Sequence, residues 1–402
     1  MKRIPGLDGL RAISIALVLC GHLIGTYGFF NNNTLWDHTG DFANLGVRVF
    51  FVISGYLITL LLIREIEKTG TVSLKQFYSR RAFRILPAAY SFVVVVAIAS
   101  LGGLVLLHRG DLWHAFTYTI NYSVERSWWV GHLWSLSVEE QFYFLWPAVL
   151  LFLGIRRGMR VAIGAIVFVP FIRLLTDYVW ISQRPIIGNT FQTIADTIAT
   201  GCVLAGYKDH LLGMTWFRRI IDSRAFFLVP IAALLLNLKP GGRIRWFVLE
   251  TIINILIALC VCRVAIHTRD WVGRLLNWGP ITYVGVLSYS LYVWQQLFIN
   301  RNSTAWTERF PQNLIFAVSA ALLCHYFIEK PFLRLRDARR MHHPIRGRSS
   351  ASTAPVSLAE SPDPAKAVSG SSTGLVLEVP GYGTGTSVAR QSCTSVDLGD
   401  VT

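Results

Sequence analysis

Ten stretches of this chain are apolar over about the length needed to cross a bilayer, and that repetition constrains the fold more than any motif does. A spanning helix needs roughly 20 mostly apolar residues. The candidates are 10–29, 44–63, 85–107, 137–155, 159–176, 190–207, 226–238, 246–266, 280–299 and 312–330. Segment 226–238 is short, with room to extend into its flanks. Residues 111–123, DLWHAFTYTINYS, read as a half-helix or an interfacial segment. Only 15% of the residues are charged and 53% are apolar, whereas a soluble domain carries about 25% charged residues. The expected fold is therefore all-α: a polytopic membrane bundle of about ten transmembrane helices with a disordered C-terminal tail. The boundary falls at residue 340. Residues 1–340 make the membrane domain, and 341–402 are too rich in Ser, Ala, Pro and Gly to bury a core. No internal repeat suggests the duplicated halves of a transporter.

Positive charge orients the bundle, because cytoplasmic loops retain Lys and Arg. With the N-terminus inside, the inner loops hold 25 such residues. The outer loops hold nine: Arg48, Arg109, Arg126, Arg184, Lys239, Arg243, Arg245, Arg301 and Arg309. Both termini are then cytoplasmic. The net charge of +15 is accounted for by this bias, so no nucleic-acid partner is implied. Five of the cysteines lie in or beside apolar stretches. Cys260 and Cys262 are too close for the usual zinc pair, so no metal is expected. Met1-Lys2-Arg3 before an apolar run resembles a leader. Arg11 inside that run and Leu19 at the small-residue position argue for a retained span instead.

Ionisable groups inside such segments are costly and mark pathways or reaction sites when they are not structural. In GLDGLRAISIALVLCGHLI, residues 6–24, Arg11 and His22 are eleven positions apart. Eleven steps of a helix turn 20° past three full turns and rise about 16 Å, so the two share a face. Asp8 falls near that face. With Arg11 at the inner surface, His22 lies near the middle of the membrane. The bland alternative is a histidine bonding a neighbouring helix, with Asp8 as a cap and Arg11 as an anchor. In GHLWSLSVEEQFYFLWP, residues 131–147, Glu139 and Glu140 enter an apolar helix. Adjacent residues point about 100° apart, so one of the two faces a polar site. A carboxylate there can orient the imidazole, or pair with an arginine as structural glue. In FYSRRAFRILP, residues 77–87, Arg81 and Arg84 are i,i+3 neighbours beside Arg80. They can grip one anionic group or simply hold an inner loop in place. Ser54-Gly55 in FFVISGYLIT permits close helix approach. Tyr289, Tyr292 and Gln295 in LSYSLYVWQQ, and Glu329 in FIEKPF, read as packing residues when taken alone.

Together and in this order, LDGLRA…GH, FFVISGYLIT, RRAFRILP, HLWSLSVEEQFYFLWP, SYSLYVW and FIEKPF resemble the acyltransferase family 3 membrane proteins over about residues 4–336. The resemblance implies transfer of an acyl group, usually acetyl, from cytoplasmic acetyl-CoA to a hydroxyl of a carbohydrate or other acceptor. It also implies a multi-pass protein of the bacterial inner membrane, with the lipid bilayer as its surroundings. The family's Arg-x10-His pair falls on Arg11 and His22, and its arginine motif on Arg81 and Arg84 with Arg80 beside them. Its WSLSVEEQFY block falls on Trp134 through Tyr143. Two departures stand out. Many members carry histidine where this chain has Gln295. Some carry an appended extracellular hydrolase-like domain for which residues 341–402 are too short and polar, so transfer is expected to finish within the membrane domain.

The mechanism this implies has Arg80, Arg81 and Arg84 holding the CoA phosphates and His22 acting as general base or acyl carrier. Arg11 holds the donor or stabilises developing negative charge, and Glu139 or Glu140 stabilises the imidazolium. Asp8, Trp134, Ser137 and Tyr289 are the candidates for substrate contact. The rival is a transporter or proton-coupled carrier, which also explains a buried histidine with carboxylates but explains the inner arginine cluster less well.

Overall fold

The computed structural model describes residues 4, 6–29, 41–238 and 242–342, which form helices joined by turns with no strand among them. The apolar runs become α1 (Leu7–Leu23), α2 (Asp41–Thr69), α3 (Leu74–Leu101), α4 (Leu133–Val179) and α5 (Phe191–Gly213). They continue as α6 (Leu228–Asn237), α7 (Glu250–Ile266), α8 (Gly279–Trp294), α9 (Gln312–Cys324) and α10 (Lys330–His342). Gly154 takes φ +72° and breaks α4 into two arms, because only glycine adopts that conformation without strain. The arms correspond to the expected segments 137–155 and 159–176. Helix covers most of each expected segment, though stretches such as 24–29 and 102–107 run beyond it, and the number that can cross a membrane unaided is smaller. Among the described residues five helices are long and apolar enough, or six if the pair Thr215–Asp222 and Arg224–Asn237, bent by 69°, forms one span. The interfacial stretch 111–123 holds two short helices, Asp111–Phe116 and Ile120–Tyr122. The expected tail lies outside the described residues from 343 onward, while Met341 and His342 complete α10.

α1 ends six residues before the expected limit at residue 29. Ile24 is extended and Gly25 takes φ +85°, so the chain turns away although it is still apolar. His22 therefore sits in the last turn of α1 rather than midway along a helix.

α2 lies between α1 and α5, α5 also packs on α4, and α1 packs on α8. The α2–α5 crossing is close because glycine stands on both sides. A Cβ on Gly55 would meet the carbonyl of Ile198, and one on Gly201 would meet the carbonyl of Val52. The small residue beside Ser54 thus does what its sequence context suggested.

Two arginines depart from the loop assignment, and Arg245 is one of them: it is buried and begins the helical stretch Arg245–Ile266. Arg48 is not a loop residue: it lies within α2, 1% exposed, and pairs with Glu250 of α7 at 2.8 Å. It also donates to Thr197 Oγ1 (3.2 Å) and Asn254 Oδ1 (3.0 Å). Arg173 of α4 is fully buried, pairs with Asp196 of α5, and reaches Glu250 at 3.0 Å. These charges sit in apolar segments and answer one another, which is the condition under which buried ions persist. They tie α2, α4, α5 and α7 together.

Candidate active site

Two cavities open along α1, one toward each end. The first, about 90 Å³, is lined by Arg11, Arg81, Arg84, Glu139, Tyr143 and Tyr289, among others. The second, about 430 Å³, is lined by His22, Arg126, Trp128, His132, Trp134 and Gln296, among others. Val47 and Tyr292 line both, and so form the wall between them. The Tyr292 hydroxyl is held in that wall, donating to the His132 carbonyl at 2.8 Å with Ser135 Oγ beside it.

The arginine cavity gathers three cations from two helices. Arg11 and Asp8 are 3.3 Å apart on α1. Arg81 and Arg84, one turn apart on α3, both face inward. The Arg81 guanidinium lies 5.7 Å from the Phe77 ring centre and 5.2 Å from that of Tyr143. Neither Arg81 nor Arg84 has a carboxylate within ion-pair distance among the described residues, which leaves both for an anionic ligand. Arg80 does not join them. It turns to Glu65 at 3.2 Å, on α2 and away from the cavity. A position one residue from Arg81 points about 100° round the helix.

The two adjacent glutamates separate in the same way. Glu139 lines the arginine cavity and accepts from Ser54 Oγ at 2.6 Å; Tyr143 donates to that Ser54 oxygen at 3.2 Å. Glu140 lines neither cavity. The carboxylate does not hold the imidazole as expected: Nδ1 of His22 meets Gln295 instead, and Glu139 stands five residues along α4, about 7.5 Å, from Trp134 at the His22 cavity. Ser137 is buried and donates to the Leu133 carbonyl of its own helix at 3.0 Å, so it offers a ligand nothing. Ser135, two positions earlier and about 200° away, lines the arginine cavity instead. Asp8 lines neither cavity and serves Arg11. Tyr289 lines the arginine cavity, but its hydroxyl is spent on the Ile85 carbonyl at 2.7 Å. Trp134 lines the histidine cavity, edge-on to Phe51.

His22 is held by a series of amides. The Trp128 carbonyl can only accept, so Gln296 Nε2 donates to it at 3.0 Å and leaves Gln296 Oε1 as an acceptor. Gln295 Nε2 donates to that oxygen at 3.1 Å, which turns Gln295 Oε1 toward His22 Nδ1 at 3.0 Å. Nδ1 must therefore carry the proton, and Nε2 keeps its lone pair. Gln295, the departure from the family pattern, is thus the residue that fixes the tautomer. The Trp128 indole sits edge-on to His22 at 6.1 Å, anchored through Nε1 to the Ile299 carbonyl at 3.2 Å, with the Arg301 guanidinium 5.4 Å from the ring centre.

Sequence reasoning passed over His132, Arg126 and Gln296. His132 stands in a motif whose glutamates dominate it, and Gln296 carries a signal as the second amide of a pair in an apolar span. Arg126 counted only as a loop charge. Among the described residues no cluster of His, Cys, Asp or Glu could hold a metal ion.

The acyltransferase domain family matches residues 4–328. The chain is 31% identical to a Staphylococcus aureus strain COL protein named "Putative O-acetyltransferase SACOL0978", over 83% of this chain and 58% of that protein. It is 31% identical to the O-acetyltransferase OatA of Staphylococcus aureus strain NCTC 8325, over 74% of this chain and 51% of that one. The chain thus spans little more than half the length of these relatives. No solved structure matches.

Proposed function

The chain belongs to the acyltransferase domain family, and from that premise we propose that it is an integral-membrane O-acetyltransferase. It takes acetyl from cytoplasmic acetyl-CoA and delivers it to a hydroxyl of a carbohydrate acceptor. It does so as a bundle of about ten spans in the bacterial inner membrane, with both termini cytoplasmic. The observation that carries this reading is the pairing of His22, which lines a cavity with its Nδ1–H held by Gln295, with a neighbouring cavity of three arginines that shares Val47 and Tyr292 with it.

Arg81 and Arg84 take the anionic phosphates of the donor. Arg11, with its guanidinium in the same cavity, holds the donor as well. It is too far along α1, about 16 Å, to stabilise charge at the atom His22 serves. The thioester passes the Val47–Tyr292 wall to reach the histidine cavity. There His22 Nε2 takes the proton of the acceptor hydroxyl as its oxygen attacks the thioester carbonyl. The C–S bond breaks, CoA leaves as thiolate, and the imidazolium returns the proton to sulfur. Gln295 Oε1 steadies Nδ1–H through both steps, and Glu139 balances the arginines from across their cavity.

The test is purified protein with radiolabelled acetyl-CoA and a glycan acceptor, following CoA release and acetyl incorporation. His22→Ala should cost about 10²- to 10⁴-fold in turnover, the usual contribution of a general base, with the protein still folded in the membrane. Full activity in that variant removes His22 from the chemistry. A carrier would instead move its solute and release no CoA.

A further inference from the structure

The histidine cavity carries more than the base. Three of the residues that line it each carry a buried polar atom with no hydrogen-bond partner among the described residues: Asn44 Oδ1, Ser127 Oγ and His132 Nδ1. His132 and Ser127 are 4% and 5% exposed. His132 Nε2–H donates to the Val293 carbonyl at 3.0 Å, so Nδ1 can only accept. Buried polar atoms left unpaired are rare and costly, so side chains at one cavity that turn such atoms inward to meet a ligand recover that cost. Asn44 Oδ1 and His132 Nδ1 are acceptors, as is His22 Nε2. What answers acceptors is a donor-rich molecule, and a run of hydroxyls is such a molecule.

The rest of the wall narrows the class. Trp128 and Trp134 add flat apolar surface, which suits the C–H face of a pyranose ring. Arg126 lines the same cavity and donates only to the backbone carbonyls of Ile120 (3.3 Å) and Ser123 (3.4 Å). It has no carboxylate partner among the described residues, and a guanidinium lining a cavity without one favours an anion.

Resting on the acceptor reading above, we infer that the acceptor is an acidic saccharide: a hydroxyl-rich ring that His132, Asn44 and Ser127 recognise, bearing a carboxylate or phosphate that Arg126 recognises. Arg126 and His132 are then specificity residues and take no part in proton transfer.

The experiment is equilibrium binding to the full-length protein in detergent, without donor. One probe is an oligosaccharide containing a hexuronic acid; the other is its carboxyl-reduced, neutral counterpart. The acidic probe should bind at least about tenfold more tightly, the effect of one charge-assisted hydrogen bond, and the preference should shrink as salt rises. Arg126→Gln should erase the preference, and Arg126→Lys should keep part of it. Equal binding of the two probes, or binding of neither, overturns the inference, and the wild-type comparison decides this even if Arg126→Gln fails to fold. Because no donor is present, a failed donor assay leaves this result intact. Conversely, acetyl transfer to both probes with equal binding overturns the acidic preference alone.

Discussion

Replacing Gln295 with Leu removes the one oxygen that holds His22 Nδ1–H, at 3.0 Å, while keeping a side chain of similar size. Two losses follow. The hydrogen bond itself is worth about 0.5–1.5 kcal/mol net. Freed of it, the imidazole also samples the tautomer whose Nε2 is protonated and cannot act as a base. Each 1.4 kcal/mol is a factor of ten in rate, so kcat should fall about 10- to 100-fold. KM for acetyl-CoA should hold, because the arginine cavity is untouched. The assay is initial CoA release in reconstituted vesicles, with thermal unfolding as a control for folding. The decisive comparison is the double variant. If Gln295 acts only through His22, then His22→Ala/Gln295→Leu is no slower than His22→Ala alone. Losses that multiply would refute the relay, and so would a Gln295→Leu enzyme with normal kcat and a raised KM.

Other residues give sharper contrasts. Arg81→Gln or Arg84→Gln should each raise KM for acetyl-CoA by about tenfold or more, since each removes a charge-assisted contact. Arg80→Gln should stay within about twofold in the same assay, since Arg80 pairs with Glu65 and lines neither cavity. Arg173→Met leaves Asp196 buried without its cation and should cost about 3–5 kcal/mol, read as a lowered unfolding midpoint or as loss of protein from the membrane fraction. Gly201→Val forces methyl groups onto the Val52 carbonyl and should lower folded yield by prying α2 from α5.

What the sequence disclosed followed from helical periodicity and charge. The apolar runs mark where the helices lie, and Arg81 and Arg84 share a face by their spacing. The 100° step separates Glu139 from Glu140, though not which of them faces a cavity. The same step carried Ser137 away and brought Ser135 in, a distinction no motif made. Periodicity could not foresee that Ile24 and Gly25 end α1 early, because an apolar run says nothing of where the backbone turns. The Arg48–Glu250–Arg173–Asp196 network was hidden for another reason. Each charge alone resembles an anchor, and only tertiary packing shows that they answer one another. The tautomer of His22 rests on Gln295, Gln296 and a carbonyl of Trp128, which approach only once α1, the short helix Trp128–Gly131 and the turn Gln295–Leu297 after α8 are assembled.

The proposed transfer requires donor and acceptor to meet at the Val47–Tyr292 wall, the donor coming from the arginine cavity and the acceptor from the histidine cavity. The direct measurement uses sided vesicles, with membrane-impermeant acetyl-CoA sealed on the face of Arg81 and Arg84 and a glycan acceptor only on the face of His22. Labelled acetyl should appear on the acceptor across an intact bilayer and vanish with His22→Ala. Transfer that occurs only when both substrates share one face, or that persists without His22, contradicts it.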